Sequence, residues 1–214
     1  MSTRNSLSTV GRFVGAAACV ISLASCGGEM LRTGRAPVQL VISSMSASAG
    51  GATGGSGSAF LLSDVVILVD QTVNGVTTKV PSVINDSATA SILSVPKSQN
   101  PDTLTSDLNT VTLTRYHVDF RRTDGRNTPG VDVPYGFDGG LGVSIAANSS
   151  QNVAFEIVRH QAKLEPPLKN LASGGGLGFI STIAEVTFYG HDQNGNEVTV
   201  TGRIDVQFGD FADK

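Results

Sequence analysis

Residues 184–208 read AEVTFYGHDQNGNEVTVTGRIDVQF, and their pattern predicts a β-hairpin. Apolar and polar side chains alternate over residues 184–189 and again over residues 198–208. Successive side chains of a strand point to opposite faces, so each arm has one apolar and one polar face. Asn194 and Gly195 lie between the arms and tolerate the positive φ values of a tight hairpin turn. Such two-faced arms are what a half-solvated antiparallel sheet requires.

The composition also favours strands and turns. Only 15% of the 214 residues are charged, against about 25% in a typical domain, and 25 residues are glycine. Valine, isoleucine and threonine are frequent, and their branched side chains suit a pleated surface better than a helical turn. The low charge content excludes a coiled coil, and the net charge of −3 excludes a basic nucleic-acid-binding protein.

The same alternation recurs along the chain and predicts an all-β fold, with a β-sandwich as the first choice and a closed barrel as the alternative. In residues 111–121 the apolar positions are odd up to Leu113 and even from Tyr116, which predicts a β-bulge or a crossing between sheets near Arg115. The other apolar faces are Val38, Leu40 and Ile42; Val65, Ile67 and Val69; Ala88, Ala90 and Ile92; Leu141, Val143 and Ile145; and Val153, Phe155 and Ile157.

Residues 37–214 are interpreted as one sandwich domain. Within it, residues 48–58 (SAGGATGGSGS) have the composition of a flexible loop and lack the lysine of a phosphate-binding loop. Residues 165–171 are the only segment with helical character, and they are interpreted as a short crossover between sheets.

The N-terminus has the features of a secretory signal. Residues 1–25 contain Arg4 and Arg12 but no acidic residue, and residues 13–23 form an apolar run. A run of this length is too short for a membrane-spanning helix, which needs about 20 residues, but it suits a signal peptide.

Residues 23–26, Leu-Ala-Ser-Cys, resemble the lipobox of bacterial lipoprotein precursors. The resemblance implies that residues 1–25 are removed, that diacylglycerol is attached to the sulfur of Cys26, and that the new N-terminus is acylated. Residues 26–36 then form a lipidated tether to the membrane. Gly27 stands where aspartate would indicate retention in the inner membrane, so the implied location is the outer membrane of a bacterial cell envelope. An ordinary secretory signal with an incidental Cys26 is the alternative.

Residues 192–197, followed by VTVTG, resemble the late hairpin of bacterial immunoglobulin-like domains. The resemblance implies an antiparallel immunoglobulin-like β-sandwich of about seven to nine strands with a binding or spacer role. The cysteine and tryptophan core of antibody domains is absent from the sequence.

Residues 121–140 (RRTDGRNTPGVDVPYGFDGG) concentrate charged and aromatic residues in a chain that is poor in both. Loops on a rigid scaffold commonly bind partners, and arginine and tyrosine are favoured at contact surfaces. The alternative is a long connection held by arginine–aspartate pairs and turns. The candidate partner-binding residues are Arg121, Arg122, Arg126, Tyr135 and Phe137.

Motifs for other chemistry are weak. Asp192, Asn194 and Asn196 have the oxygen spacing that opens a calcium loop, but Gly195 and Arg203 stand where the EF-hand pattern does not allow them, so a turn is the better interpretation. No catalytic residue, metal ligand or cofactor is predicted, because the nucleophile-elbow, HExxH and P-loop motifs are all missing from the sequence.

The sequence therefore predicts a non-catalytic, lipid-anchored envelope protein that serves as an interaction or structural module. Its expected partners are the membrane, through the anchor at Cys26, and an envelope protein or a glycan; nucleic acid is not expected. A carbohydrate-binding module is the first alternative, and a hydrolase with an unrecognised site is the second.

Overall fold

The computed structural model describes residues 34–51, 57–98, 106–172 and 178–211. This part of the chain contains ten strands, a single 3-10 turn at Asp107–Asn109 and two short helices, α1 (His160–Lys163) and α2 (Lys169–Ala172). The strands are β1 (Val38–Ser48), β2 (Phe60–Asp64), β3 (Ile67–Val73), β4 (Val76–Ser82), β5 (Asp86–Pro96), β6 (Val111–Arg121), β7 (Phe137–Ile145), β8 (Ser150–Val158), β9 (Phe179–Asp192) and β10 (Glu197–Gly209).

The strands form two facing sheets and a separate two-stranded ribbon. One sheet has the order β1-β5-β8, the other has the order β2-β10-β9-β6-β7, and β3 pairs only with β4. The all-β sandwich is confirmed, and among the described residues its two sheets hold eight strands, within the predicted seven to nine. One detail differs from the prediction, because β2 runs parallel to β10 in an otherwise antiparallel arrangement.

Apolar faces of the two sheets meet in the core. Phe155 of β8 packs edge-on against Phe188 of β9 and tilts against Tyr116 of β6, each with ring centroids 5.2 Å apart. The Tyr116 hydroxyl accepts a hydrogen bond from the Glu156 backbone N–H at 3.2 Å, so its polar end is satisfied inside the sandwich. Burial raises the pKa of Tyr116 above its ordinary value.

The predicted late hairpin is confirmed as β9 and β10. At its turn Gly195 has a φ of 79°, which suits glycine because no Cβ has to be accommodated. Buried Asp192 closes the turn: its carboxylate accepts hydrogen bonds from the backbone N–H groups of Asn194 and Asn196, at 2.9 and 2.8 Å, and from the Asn196 side-chain amide at 2.7 Å. Both carboxylate oxygens are therefore engaged in holding the turn.

The predicted bulge near Arg115 is also confirmed. The pairing of β6 with β9 shifts by one residue between Leu113 and Arg115, leaving Thr114 as the extra residue. Leu113 and Tyr116 are both buried even though their positions differ in parity.

The alternating face predicted through Val65, Ile67 and Val69 is wrong. Val65 is buried where the chain bends after β2, and its backbone N–H donates to the Gly209 carbonyl at 2.9 Å. Ile67 and Val69 belong to the ribbon beyond the bend, which turns at Asn74 with a φ of 52°. The alternation therefore spans a bend, and the residues on either side of it do not share a face.

The Gly/Ser-rich loop predicted at residues 48–58 is only partly described, since residues 52–56 lie outside the described ranges. Its ends meet as the backbones of Ala47 and Ser58 exchange hydrogen bonds of 2.8 and 2.9 Å. The predicted signal peptide and Cys26 lie outside the described residues. Among the helices described, none is long and apolar enough to span a membrane.

Strand pairing gives the sandwich two distinct ends. The tether end, named after the predicted tether that precedes it, holds the start of β1, where Val38 pairs with Pro96, and the Asp192–Asn196 turn, since Pro96 and Asn194 line one cleft. The distal end holds the last residue of β1, Ser48, and the loop between β6 and β7. Helix α1, which follows β8, also lies at the distal end, because Val158 of β8 pairs with Asp86 at the start of β5.

Candidate functional site

The partner-binding loop predicted at residues 121–140 is shorter in the structure, where β6 ends at Arg121 and β7 begins at Phe137. The loop between them lies at the distal end and begins with an arginine–aspartate cluster. Arg122 holds the Asp124 carboxylate with three hydrogen bonds: Nε donates to Oδ1 at 3.1 Å and to Oδ2 at 3.2 Å, and Nη2 donates to Oδ2 at 2.6 Å. Arg126 donates to the same Oδ2 from Nε and Nη2, at 3.1 and 2.9 Å. One carboxylate therefore binds two guanidinium groups, and it closes the first half of the loop.

These hydrogen bonds set the ionisation of the cluster. The hydrogen bonds from Arg122 first, and then those from Arg126, hold the pKa of Asp124 far below its ordinary value. The reciprocal hydrogen bond to Asp124 raises the pKa of Arg122. The cluster remains ionised across the physiological range, which fits the interpretation of this half of the loop as a self-supporting connection.

The second half of the loop presents a fixed aromatic ring. Gly130 has a φ of 76°, and its backbone N–H donates to the Val133 carbonyl at 2.8 Å. The Tyr135 ring lies against the Cα of Gly130, where a Cβ atom would overlap the ring. Tyr135 nevertheless remains 58% exposed, so one surface of the side chain is supported by backbone and another faces solvent.

The five predicted partner-binding residues divide into exposed and engaged groups. Arg121, Arg126 and Tyr135 are largely exposed, with 63% of the Arg121 side chain accessible. Arg122 is mostly covered, and only 18% of its side chain is accessible. Phe137 is buried in the core beside Tyr116, although it lines one cleft together with the exposed Tyr135.

A cleft of about 150 Å³ lies between Tyr135 and helix α1. The far wall contains Arg159, which precedes α1, together with Gln161 and Glu165. The Arg159 guanidinium stacks 3.9 Å from the Phe137 ring centroid and also donates to the Asp138 backbone carbonyl. Sequence reasoning missed the residues of the far wall, because no motif connects them with a loop that lies more than twenty positions earlier in the chain.

A buried ion pair holds α1 against the sandwich. Lys163 Nζ lies 2.8 Å from Asp86 Oδ1, and both side chains are almost inaccessible to solvent. Asp86 also accepts hydrogen bonds from the Gly50 backbone N–H at 2.7 Å and from Ser63 Oγ at 2.6 Å. The carboxylate thus joins β5, β2, the end of the β1 connection and α1. Neither member of this pair belongs to a motif that the sequence alone would reveal.

The outer face of the five-stranded sheet carries a second polar cluster. His117 Nδ1 lies 3.2 Å from Asp138 Oδ1, and Arg115 Nη1 donates to the same oxygen at 3.0 Å. The Arg115 guanidinium also stacks on Tyr189, 3.9 Å from the ring centroid. Across the described ranges, no three histidine, cysteine, aspartate or glutamate side chains are grouped so that they could hold a metal ion.

Comparison with known proteins finds remote structural similarity. No protein-family model matches the chain, and no curated protein matches it. One solved structure, described as "X-ray structure of Northeast Structural Genomics Consortium target SoR45", aligns over 81% of this chain and 86% of that chain, with 8% sequence identity and a TM-score of 0.32. We draw neither the fold nor a function from so remote a similarity.

Proposed function

We propose that this protein is a lipid-anchored lipoprotein of the bacterial outer membrane whose non-catalytic β-sandwich presents a partner-binding surface at its distal end. The placement of the loop supports this role. The chain enters the sandwich at Val38, whereas Tyr135 and Arg126 lie at the opposite end. An anchor at Cys26 would therefore hold one end of the sandwich near the membrane and leave the other end free for an envelope protein or a glycan.

The dimensions of the chain support this arrangement. Strand β1 has 11 residues, and at roughly 3.3 Å per residue it separates the two ends by about 35 Å. The interval from Cys26 to Val38 provides at most about 40 Å when fully extended. A coil of the same length has a typical reach of only about 20 Å, so the tether end stays near the lipid.

Fractionation tests the anchor. Cys26→Ala should move the protein from the membrane fraction to the soluble fraction, because the acyl chains supply the membrane affinity. Cys19→Ala is the matched control and should leave the protein in the membrane fraction. Partition of the Cys26→Ala protein into detergent would contradict the proposed anchor.

Site-specific photo-crosslinking tests the distal surface in intact cells. A benzophenone amino acid replaces Tyr135 in one variant and Gln193, an exposed residue of the turn at the tether end, in the other. The proposed role predicts an adduct with an envelope component from position 135 and none from position 193. Equal crosslinking from both positions, or none from position 135, would contradict a distal partner surface.

Carbohydrate binding is the second candidate function, and one observation favours it. The cleft beside Tyr135 combines an exposed aromatic side chain with polar side chains from a different segment of the chain. Concave sites with a few convergent polar groups are the usual form of small-molecule binding sites.

A further inference from the structure

The cleft between the loop and α1 offers polar groups that the described part of the chain leaves unused. The side chains of Gln161 and Glu165 are exposed and make no hydrogen bond within the four ranges that the structure describes. An amide offers two donor hydrogens and an acceptor oxygen, and a carboxylate offers two acceptor oxygens. Arg159 uses one donor on the Asp138 carbonyl, which leaves other N–H groups of its guanidinium for a ligand.

The two walls of the cleft are held in place by separate contacts. On one side the Tyr135 ring rests against the backbone of Gly130. On the other side the Arg159 guanidinium is stacked on Phe137, and α1 is fixed by the buried ion pair between Lys163 and Asp86. The Tyr135 ring and the Arg159 guanidinium therefore lose little conformational entropy when a ligand binds, so these two parts of the cleft are pre-organised.

We propose that this cleft binds a single ring of a neutral sugar, at the end of a glycan or as a short saccharide. Sugar rings present an apolar C–H face, which suits the exposed surface of Tyr135, and hydroxyl groups at their rim, which suit Gln161, Glu165 and Arg159. The guanidinium and the carboxylate balance in charge, which disfavours acidic sugars and phosphates relative to neutral rings. The volume of 150 Å³ lies below the range of roughly 300–1,000 Å³ for drug-sized ligands and limits occupancy to one ring.

This inference specifies the partner of the distal surface and therefore rests on the proposed function. The test uses the mature lipidated protein in a detergent without a sugar head group, since a maltoside or glucoside would compete for the cleft. An array of neutral and acidic glycans is screened first. The best neutral oligosaccharide is then titrated while tyrosine fluorescence is recorded, a usable signal because the chain contains no tryptophan.

Binding of a neutral glycan is expected, and Tyr135→Ala and Gln161→Ala should each weaken it by at least about tenfold, as loss of a central contact does. Binding by the Gln161→Ala variant is measured by tyrosine fluorescence. Binding by the Tyr135→Ala variant is measured by calorimetry, because this substitution removes the ring that reports on the cleft. Gln151→Ala is the matched control. Gln151 is exposed and lies near the tether end of β8, so this variant should bind the glycan like the unchanged protein. Circular dichroism verifies that each variant is folded.

Three results would overturn the inference: no neutral glycan bound on the array, a preference for acidic glycans, or affinity unchanged in both cleft variants. None of these results would remove the membrane anchor or the position-135 crosslink. Loss of the crosslink together with retained glycan binding would instead count against a distal surface that meets an envelope partner in cells, and it would leave the sugar site supported. The proposed function and the sugar site thus fail separately.

Discussion

Replacing Lys163 with methionine should remove much of the stability of the sandwich, although the residue lies on a helix of only four residues. The side chain is 3% exposed, and its ammonium group faces the fully buried Asp86 carboxylate at 2.8 Å. Methionine fills a similar volume, so the change removes the positive charge with little loss of packing.

The expected cost follows from what remains around Asp86. After the substitution the carboxylate keeps the hydrogen bonds from Gly50 and Ser63 but loses its only described charged partner. Removing one member of a buried ion pair typically costs about 3–5 kcal/mol, because the remaining charge is left uncompensated. For a domain of this size each kcal/mol lowers Tm by about 2–4 °C, so we expect a decrease of about 6–20 °C.

Thermal and urea unfolding followed by circular dichroism measure this cost. Lys169→Met, at an exposed lysine that begins α2, is the matched control and should change the free energy of unfolding by less than about 0.5 kcal/mol. Adding Asp86→Asn to Lys163→Met should recover part of the loss, since the amide is neutral and keeps an acceptor oxygen. The reasoning is refuted if Lys163→Met costs no more than Lys169→Met, or if the double variant is less stable than the sum of the single changes predicts.

Three further predictions concern other parts of the fold. Gly190→Ala should lower the free energy of unfolding in urea by about 1–3 kcal/mol, because a Cβ would overlap the Thr112 carbonyl oxygen. Gly142→Ala places its Cβ in open space and should lower it by less than about 0.5 kcal/mol. Equal losses for the two variants would contradict this prediction. In a carboxyl NMR titration the pKa of Asp124 should lie well below its ordinary value of about 3.9. Its contribution to loop stability is therefore present above about pH 3.9 and is lost only as the pH falls through the lowered pKa. A titration midpoint near 4 would show that the cluster does not form in solution. In a ring-carbon NMR titration the pKa of Tyr116 should lie above its ordinary value of about 10. Its contribution to folding stability is therefore complete below about pH 10 and declines as the pH rises through the raised pKa. A titration midpoint at or below about 10 would contradict its burial.

Much of the sandwich could be predicted because the alternation of apolar and polar residues along each strand indicates which of its faces is buried. Ala184, Val186 and Phe188 alternate because one face of β9 is buried, and all three are fully inaccessible to solvent. The bulge at Thr114 was predictable for the same reason, since a strand that keeps one face buried can change the parity of its apolar positions only by inserting a residue. These features are local, and a single segment of sequence contains the information that determines them.

Other features depend on which distant segments meet, and local patterns do not contain that information. Val65 and Ile67 have the spacing of one strand, yet the chain bends between them because β2 ends at the parallel edge of β10. Asp86 and Lys163 are 77 positions apart, and each alone resembles an ordinary surface charge. Their pairing became evident only when the sheet order was known.

The candidate site illustrates why sequence reasoning identified only some of the residues that the fold brings together there. Residues 122–136 stand out because they concentrate arginine and tyrosine, but the arginine–aspartate cluster uses much of that charge to close the loop. Tyr135 takes no part in this closure. Its ring rests against the backbone of Gly130, and the side chain remains exposed to solvent. The polar groups that face it come from α1, and α1 is held there by a buried ion pair rather than by any pattern of its own. If that pair positions the far wall of the cleft, loosening it should weaken ligand binding as well as stability. Lys163→Met, measured at a temperature where it remains folded, should therefore lower glycan affinity while Lys169→Met does not.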